Sequence, residues 1–235
     1  MTVKINWDKN VQPHGELKQL DSRLWFVTGS LPVSRIPRNM VIYKLKNGGL
    51  LIHSAIALNA ESMEKIERFG TPEYLLVPNK YHRLDAPLYR QRYENIKVIC
   101  PSAIIKKVEE KVPVYDSVEN AACKLGIGFY NPLRFRSGEL VYELVIDGGC
   151  VLVFCDLLFN LSHLVGVTGW LLKIAGSTGF FGTTRIGRLL MKDKTAVKKL
   201  LLNLSEKDNL KYILVAHGDI ISEDCNDKLR RAASF

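Results

Sequence analysis

The sequence is short of the features that would assign it at once. Its five cysteines, at 100, 123, 150, 155 and 225, are odd in number and form no Cys-x-x-Cys pair. That excludes a disulfide framework and a zinc knuckle, and makes a reducing cytosol the expected compartment, with cysteine serving as a small hydrophobe. No Gly-x-x-x-x-Gly-Lys-Ser/Thr stretch is present. The Gly-Ser-Thr-Gly run at 176–179 has Lys173 before it rather than after it, so it reads as a mobile connection near a pocket and not as a phosphate loop. RNA-binding signatures and zinc-finger spacings are missing as well. Met1 to Lys9 holds no apolar stretch, so no leader peptide is expected. Long hydrophobic runs are also lacking. The most apolar segment, Leu161 to Gly182, is interrupted by His163, Lys173 and five glycines. It falls short of the roughly 20 consecutive apolar residues of a membrane crossing. It reads as a buried or pocket-covering helix with a glycine-rich exit, an interfacial helix being the alternative, and His163 within it as a core or pocket histidine.

What is present is an ordinary globular balance. The 235 residues are 47% hydrophobic and 24% charged, with no low-complexity linker, which fits one domain over residues 1–235 with a sizeable core. The net charge is +9, concentrated at Lys106-Lys107, Arg185 to Lys199 and Lys228 to Arg231. Such an excess suits acidic partners such as nucleic acid, phosphorylated ligands or anionic membrane, or else a solvated basic face. Arg230-Arg231-Ala232-Ala233-Ser234 has the look of a basic-directed kinase site but reads as a frayed terminus.

Hydrophobic spacing sets the elements. Leu24 to Val27 is an apolar run closed by Thr28-Gly29. Met40 to Leu45 alternates, turns at Asn47-Gly48-Gly49 and returns as Leu50 to Ile52, a hairpin pattern. Asn59 to Phe69 is a capped amphipathic helix stopped by Gly70, and Tyr74 to Val77 a buried strand, so a parallel crossover is expected. Helices are expected over Leu84 to Tyr93, Ile104 to Lys111 and Glu119 to Leu125, with a strand at Val98 to Cys100. Glu139 to Ile146 alternates, turns at Asp147-Gly148-Gly149 and returns as Cys150 to Cys155. Asp193 to Leu204 is an amphipathic helix and Tyr212 to Val215 a final strand. Residues 20–100 and 138–220 therefore repeat one plan of hairpin, helix and strand.

The apolar strands end in polar residues: Pro78-Asn79 with His82 and Asp85 nearby, then Asp156, then His217-Gly218-Asp219. Sites in α/β folds gather beyond strand ends, and imidazole with carboxylate is a ligand set for zinc, iron or manganese. A metal so held can acidify water near neutral pH. Taken singly, His217 could be a turn histidine, Asp156 a cap, Asn79 a turn residue, and Asp219 a partner for the backbone near Gly218 or for the His217 ring.

These segments together resemble the metallo-β-lactamase fold over nearly the whole chain. Val153-Phe154-Cys155-Asp156 is similar to the strand that delivers its bridging aspartate, and Ile213 to Asp219 to its last ligand strand. Pro78 to His82, Asp156 to Asn160 and Ala216 to Asp219 resemble a branch known only as a domain of unknown function. The resemblance implies an α/β, αββα sandwich of two mixed β-sheets packed face to face with helices outside. The metal-ligand set is depleted. Where the family carries His-x-His-x-Asp-His, this chain has Asn79-Lys80-Tyr81-His82-Arg83-Leu84-Asp85; Cys100 to Ala103 brings no further histidine; and His53-Ser54 stands where an aspartate is usual. What remains is at best one metal on His82, Asp156 and His217, with Asp85 or Asp219 assisting and Asp156 and His217 as catalytic residues. Arg83 is a candidate to pair with Asp156 and stand in for a lost metal charge. Three functions stay open: a metal-dependent hydrolase of a small ester, lactone, thioester or phosphoester; a non-catalytic relative that binds a ligand or partner without metal; and, from charge alone, a nucleic-acid binder.

Overall fold

The alternating run Met40 to Leu45 and its glycine turn fold as the spacing demands. In the computed structural model, which describes residues 5–133, 135–174 and 176–235, they are the centre of the first of two compact units, Met1–Gly126 and Ile127–Phe235. The start of the Met1 to Lys9 segment lies outside the described residues.

The first unit carries a seven-stranded mixed sheet in sequence order. Its strands are β1 (Lys18–Asp21), β2 (Leu24–Ser30), β3 (Pro37–Lys44), β4 (Leu50–His53), β5 (Pro72–Leu76), β6 (Lys97–Cys100) and β7 (Asp116–Ser117). Pairing is antiparallel from β1 to β4 and parallel from β4 to β7. The change of sense is made by α1 (Ala60–Phe69), which carries the chain from β4 back to β5 as the expected crossover. Asn59 caps α1, its side chain accepting from Ser62 N, and Met63 and Ile66 enter the core with Ile42, Ile52, Leu75 and Val98. Next come α2 (Ala86–Arg92), α3 (Ile105–Glu109) and α4 (Val118–Leu125). The last is capped by Ser117 and ends on Gly126, whose φ of 67° is left-handed.

The second unit repeats the plan on a four-stranded sheet of order β11-β10-β9-β8. After β8 (Gly128–Tyr130), β9 (Val141–Ile146) and β10 (Gly149–Phe154) form the second hairpin. Then follow α5 (Gly166–Ile174), α6 (Arg185–Leu190), α7 (Lys194–Leu204) and β11 (Leu210–Val215), which pairs parallel with β10, and finally α8 (Cys225–Ala232). Val197, Leu201 and Leu204 of α7 and Leu229 of α8 pack into a core with Leu152, Phe154, Ile213 and Val215. The apolar run of β10 is continuous because the strand is central and buried.

Several expectations need correction. The Leu161 to Gly182 segment is not a buried helix: α5 turns Val167, Trp170, Leu171 and Ile174 outward, and His163 is exposed, its Nδ1 2.9 Å from Thr178 Oγ1. The 176–179 run is no loose connection either. Ser177 and Thr178 are buried, and the amides of Ser177 and Gly179 donate to Leu172 O and Leu161 O at 2.9 and 2.7 Å. The C-terminal tail is not frayed, because Cys225, Leu229 and Ala232 recur at helical spacing and bury one face of α8. The strand expected from Glu139 begins two residues later, at Val141, because the Glu139 side chain is used elsewhere.

The cap at Asn59 gives a direct check. An Asn59→Ala variant is expected to lose about 1 kcal/mol of stability, seen as a melting point lowered by about 2–4 °C; an unchanged melting curve would show that α1 does not depend on its cap.

Candidate metal centre

In the first unit the histidine and aspartate of the Pro78 to Asp85 stretch are held by different means. β5 ends at Leu76, and Asn79, fully buried, turns the chain: its Oδ1 accepts from the amides of Tyr81 and His82 at 2.8 and 3.1 Å. The turn reading of Asn79 therefore describes what its side chain does. It presents His82, whose Nδ1 lies 2.9 Å from Ser54 Oγ at the end of β4. Ser54 occupies a left-handed conformation, φ 58°, and its amide donates to Leu76 O at 3.0 Å. Such a hydroxyl fixes the ring plane of a histidine.

Asp85 is buried in an ion pair with Arg38, Oδ2 to Nη2 2.6 Å, and the same oxygen accepts from Ala57 N at 3.0 Å. Arg83 is engaged within its own unit, where Nη1 donates to Glu110 Oε2 at 2.8 Å and to the Lys107 carbonyl. The Arg83 guanidinium, a candidate to pair with Asp156, is thus held by an exposed carboxylate and a carbonyl of its own unit. Beside His82, His53 is buried at the end of β4; burial first, and the nearby His82 second, push its pKa down to about 3.

In the second unit Asp156 and His217 meet. His217 Nε2 lies 3.4 Å from Asp156 Oδ1, both side chains being largely buried, and the His217 ring stacks on Phe159 at 5.0 Å and 15°. The backbone brings them together. β10 and β11 run parallel to Phe154 and Val215, and beyond their ends Asn160 pairs with Gly218. Asn160 N donates to His217 O at 3.1 Å, and Asp219 N to Asn160 O at 2.9 Å. A Cβ at Gly218, where φ is 108°, would stand 2.0 Å from Asn160 O, so only glycine permits this approach. Asp219 is exposed and accepts from Ser162 Oγ at 3.2 Å through Oδ2, which ties the turn after His217 to the segment after Asn160.

Glu139, which the sequence pattern offered only as the start of a strand, is the residue that positions Asp156. Its buried carboxylate accepts the amides of Asp156 and Leu157, each at 2.9 Å, and the Ser137 hydroxyl at 3.1 Å. Burial, and then the charge of Asp156, push its pKa up to about 8. A glutamate two residues ahead of an apolar strand, in line with no alternation partner, is a weak signal. It could not have been assigned without the fold.

Two donor sets in this unit invite a metal. Glu139, Cys155 and Asp156 place ligand atoms within 4.8 Å of one another. The Glu139 oxygens already accept backbone amides, however, and burial holds the Cys155 thiol well above its usual pKa, so this trio serves as structure. The Asp156–His217 pair fits better. Two bonds of about 2.0–2.1 Å at a tetrahedral angle set ligand atoms about 3.4 Å apart. The separation of 3.4 Å equals that edge in length.

Comparison with solved structures then decides the architecture. The metallo-β-lactamase FIM-1 from Pseudomonas aeruginosa, solved in a mono-zinc form, matches with TM-score 0.65 at 12% identity over 95% of this chain and 96% of that one. The chain has the metallo-β-lactamase fold. VMB-1 matches that fold's pattern here with TM-score 0.63 and 13% identity, covering 95% of this chain and 97% of that one. A metallo-β-lactamase from Erythrobacter litoralis, with β-mercaptoethanol in its active site, gives TM-score 0.62 and 12% identity, covering 92% and 95%. No family model and no curated protein matches the sequence.

Two measurements follow. Glu139→Gln turns one acceptor of the buried clamp into a donor facing an amide, and is expected to cost about 1–3 kcal/mol in denaturant unfolding; a loss below a few tenths would mean that the clamp does not hold Asp156. His53 is neutral in the folded chain down to about pH 3, while an unfolded histidine protonates below about 6.5. Its contribution is thus complete above about pH 6.5 and declines as the pH falls toward 3, by at most about 1.4 kcal/mol per unit. Unfolding of the wild type beside His53→Asn at pH 7 and pH 5 should show the gap narrowing, and a constant gap would contradict the burial.

Proposed function

We propose that this protein is a metal-dependent hydrolase acting on a small ester, lactone, thioester or phosphoester, with a single metal at the ends of β10 and β11. Asp156 and His217 are its central ligands. The observation that carries the reading is the Asp156–His217 separation of 3.4 Å, the edge of a tetrahedral site. Carboxylate and imidazole donors suit zinc, iron or manganese, and the structurally similar Pseudomonas aeruginosa enzyme was solved in a mono-zinc form. When bound, the metal would supply Lewis-acid chemistry, polarising a carbonyl or phosphoryl oxygen and acidifying water.

The residues of the chain do the rest. Glu139 holds the Asp156 backbone so that its carboxylate stays directed, and Phe159 backs the His217 ring and keeps water from that face. Asp219, through Ser162, keeps the turn after His217 in place. Asp85, neutralised by Arg38, anchors the helix after His82 and assists from outside the ligand set.

Protein purified without a tag and without chelators, then analysed for bound elements, is expected to carry about one zinc, iron or manganese per chain, absent from His217→Ala. Wild type that stays metal-free after loading with each of the three ions would sink the proposal and leave the metal-free ligand-binding reading.

A further inference from the structure

The segment between Asp156 and Asp193 contains no acidic residue at all. It carries Lys173, Arg185, Arg188 and Lys192. None of the ion pairs found among the described residues engages these four cations. Eight of the fifteen large apolar side chains exposed among the described residues lie in this same segment. On α5, Val167, Trp170, Leu171 and Ile174 recur at three- and four-residue spacing, an amphipathic stripe that faces solvent; Trp170 is 61% exposed. On α6, Ile186 and Leu189 stand one turn apart, and Leu189 is 76% exposed. The stripes adjoin, since Arg185 at the start of α6 donates to Ile174 O at the end of α5 at 3.4 Å.

Exposed apolar side chains clustered on two adjoining helices in this way mark an interaction site. Its charge decides the partner. A second copy docking through the same face would bring four cations against four with no carboxylate to offset them, which disfavours an isologous dimer. Nucleic acid would use the cations but leave the tryptophan, leucines and isoleucines in water. A bilayer bearing anionic lipid satisfies both halves: apolar side chains enter the acyl boundary, an outward tryptophan sits at headgroup level, and lysine and arginine meet phosphate and carboxylate. No helix among the described residues is long and apolar enough to cross a membrane, so the contact is peripheral.

We propose that α5 and α6 form a docking surface for an anionic lipid bilayer, bringing this protein to a membrane face. The test of this surface does not depend on bound metal. Full-length protein is floated with phosphatidylcholine vesicles, with or without phosphatidylserine at about one third of the lipid, while tryptophan emission is followed. The expected result is binding about tenfold or more tighter to the anionic vesicles, a blue shift, and release as salt rises from about 0.1 to about 0.5 M. Trp170→Ser/Leu171→Ser should abolish the shift and the binding, and Lys173→Glu/Arg188→Glu should remove the preference for anionic lipid. All four side chains are exposed, so the variants should melt with the wild type. Equal partition between the two vesicle types, no binding to either, or a concentration-dependent dimer lost in Trp170→Ser/Leu171→Ser without vesicle binding would each overturn the proposal.

Discussion

Asp156 is held from behind. Its side chain turns toward His217 while its own amide, and that of Leu157, are given to the carboxylate of Glu139, a residue 2% exposed. Past the ends of β10 and β11 there are no strand partners left to take those amides, and an orphaned buried N–H costs about 1–3 kcal/mol. Glu139 removes that cost twice over. The cost of Glu139 itself is a buried carboxylate whose charge is disfavoured by burial and by Asp156, and three hydrogen-bond donors offset it. Asn160 and Gly218 continue the strand pairing one step beyond the sheet and set the height of His217 against Asp156. Without the clamp and the glycine, the two side chains would still be at strand ends, but nothing would fix their separation.

Much of this architecture is written in the chain as period and punctuation. Met40 to Leu45 with Asn47-Gly48-Gly49, and the Asp147-Gly148-Gly149 hairpin, carry their turns in glycine, while Asn59, Gly70, Asp193 and Gly126 mark helix ends by local chemistry. Local signals of that sort survive because the residues that make them are neighbours. Glu139 and Arg38 were not legible, since their partners, 17 and 47 residues away, are known only once the sheets are built. The α5 segment misled for another reason. Helical apolar spacing says that one face is apolar, and burial is the usual consequence, but the pattern is the same when that face is left for a partner.

The two aspartates of the candidate site show how neighbours divide roles between chemically identical groups. Asp85 lies against Arg38 with Oδ2 also accepting the Ala57 amide, so its charge is matched inside the first unit. Removing Arg38 would leave a buried carboxylate uncompensated, a change that costs several times more than the ion pair contributes. Asp156 faces an imidazole rather than a guanidinium, and keeps some exposure. A carboxylate already paired with arginine is a poor ligand, because its charge is matched before a cation arrives.

The spacing of that pair also bears on whether the site is a relic. A histidine N–H bonded to a carboxylate oxygen usually stands about 2.7–3.2 Å from it, because the interaction weakens steeply beyond that distance. At 3.4 Å the pair is wider than such a bond and matches the ligand edge of a tetrahedral metal. The backbone on either side of the pair is fixed by Gly218 against Asn160 and by Glu139 behind Asp156. On the proposed reading, the Asp156–His217 pair at the ends of β10 and β11 is the part of the chain that would hold the metal.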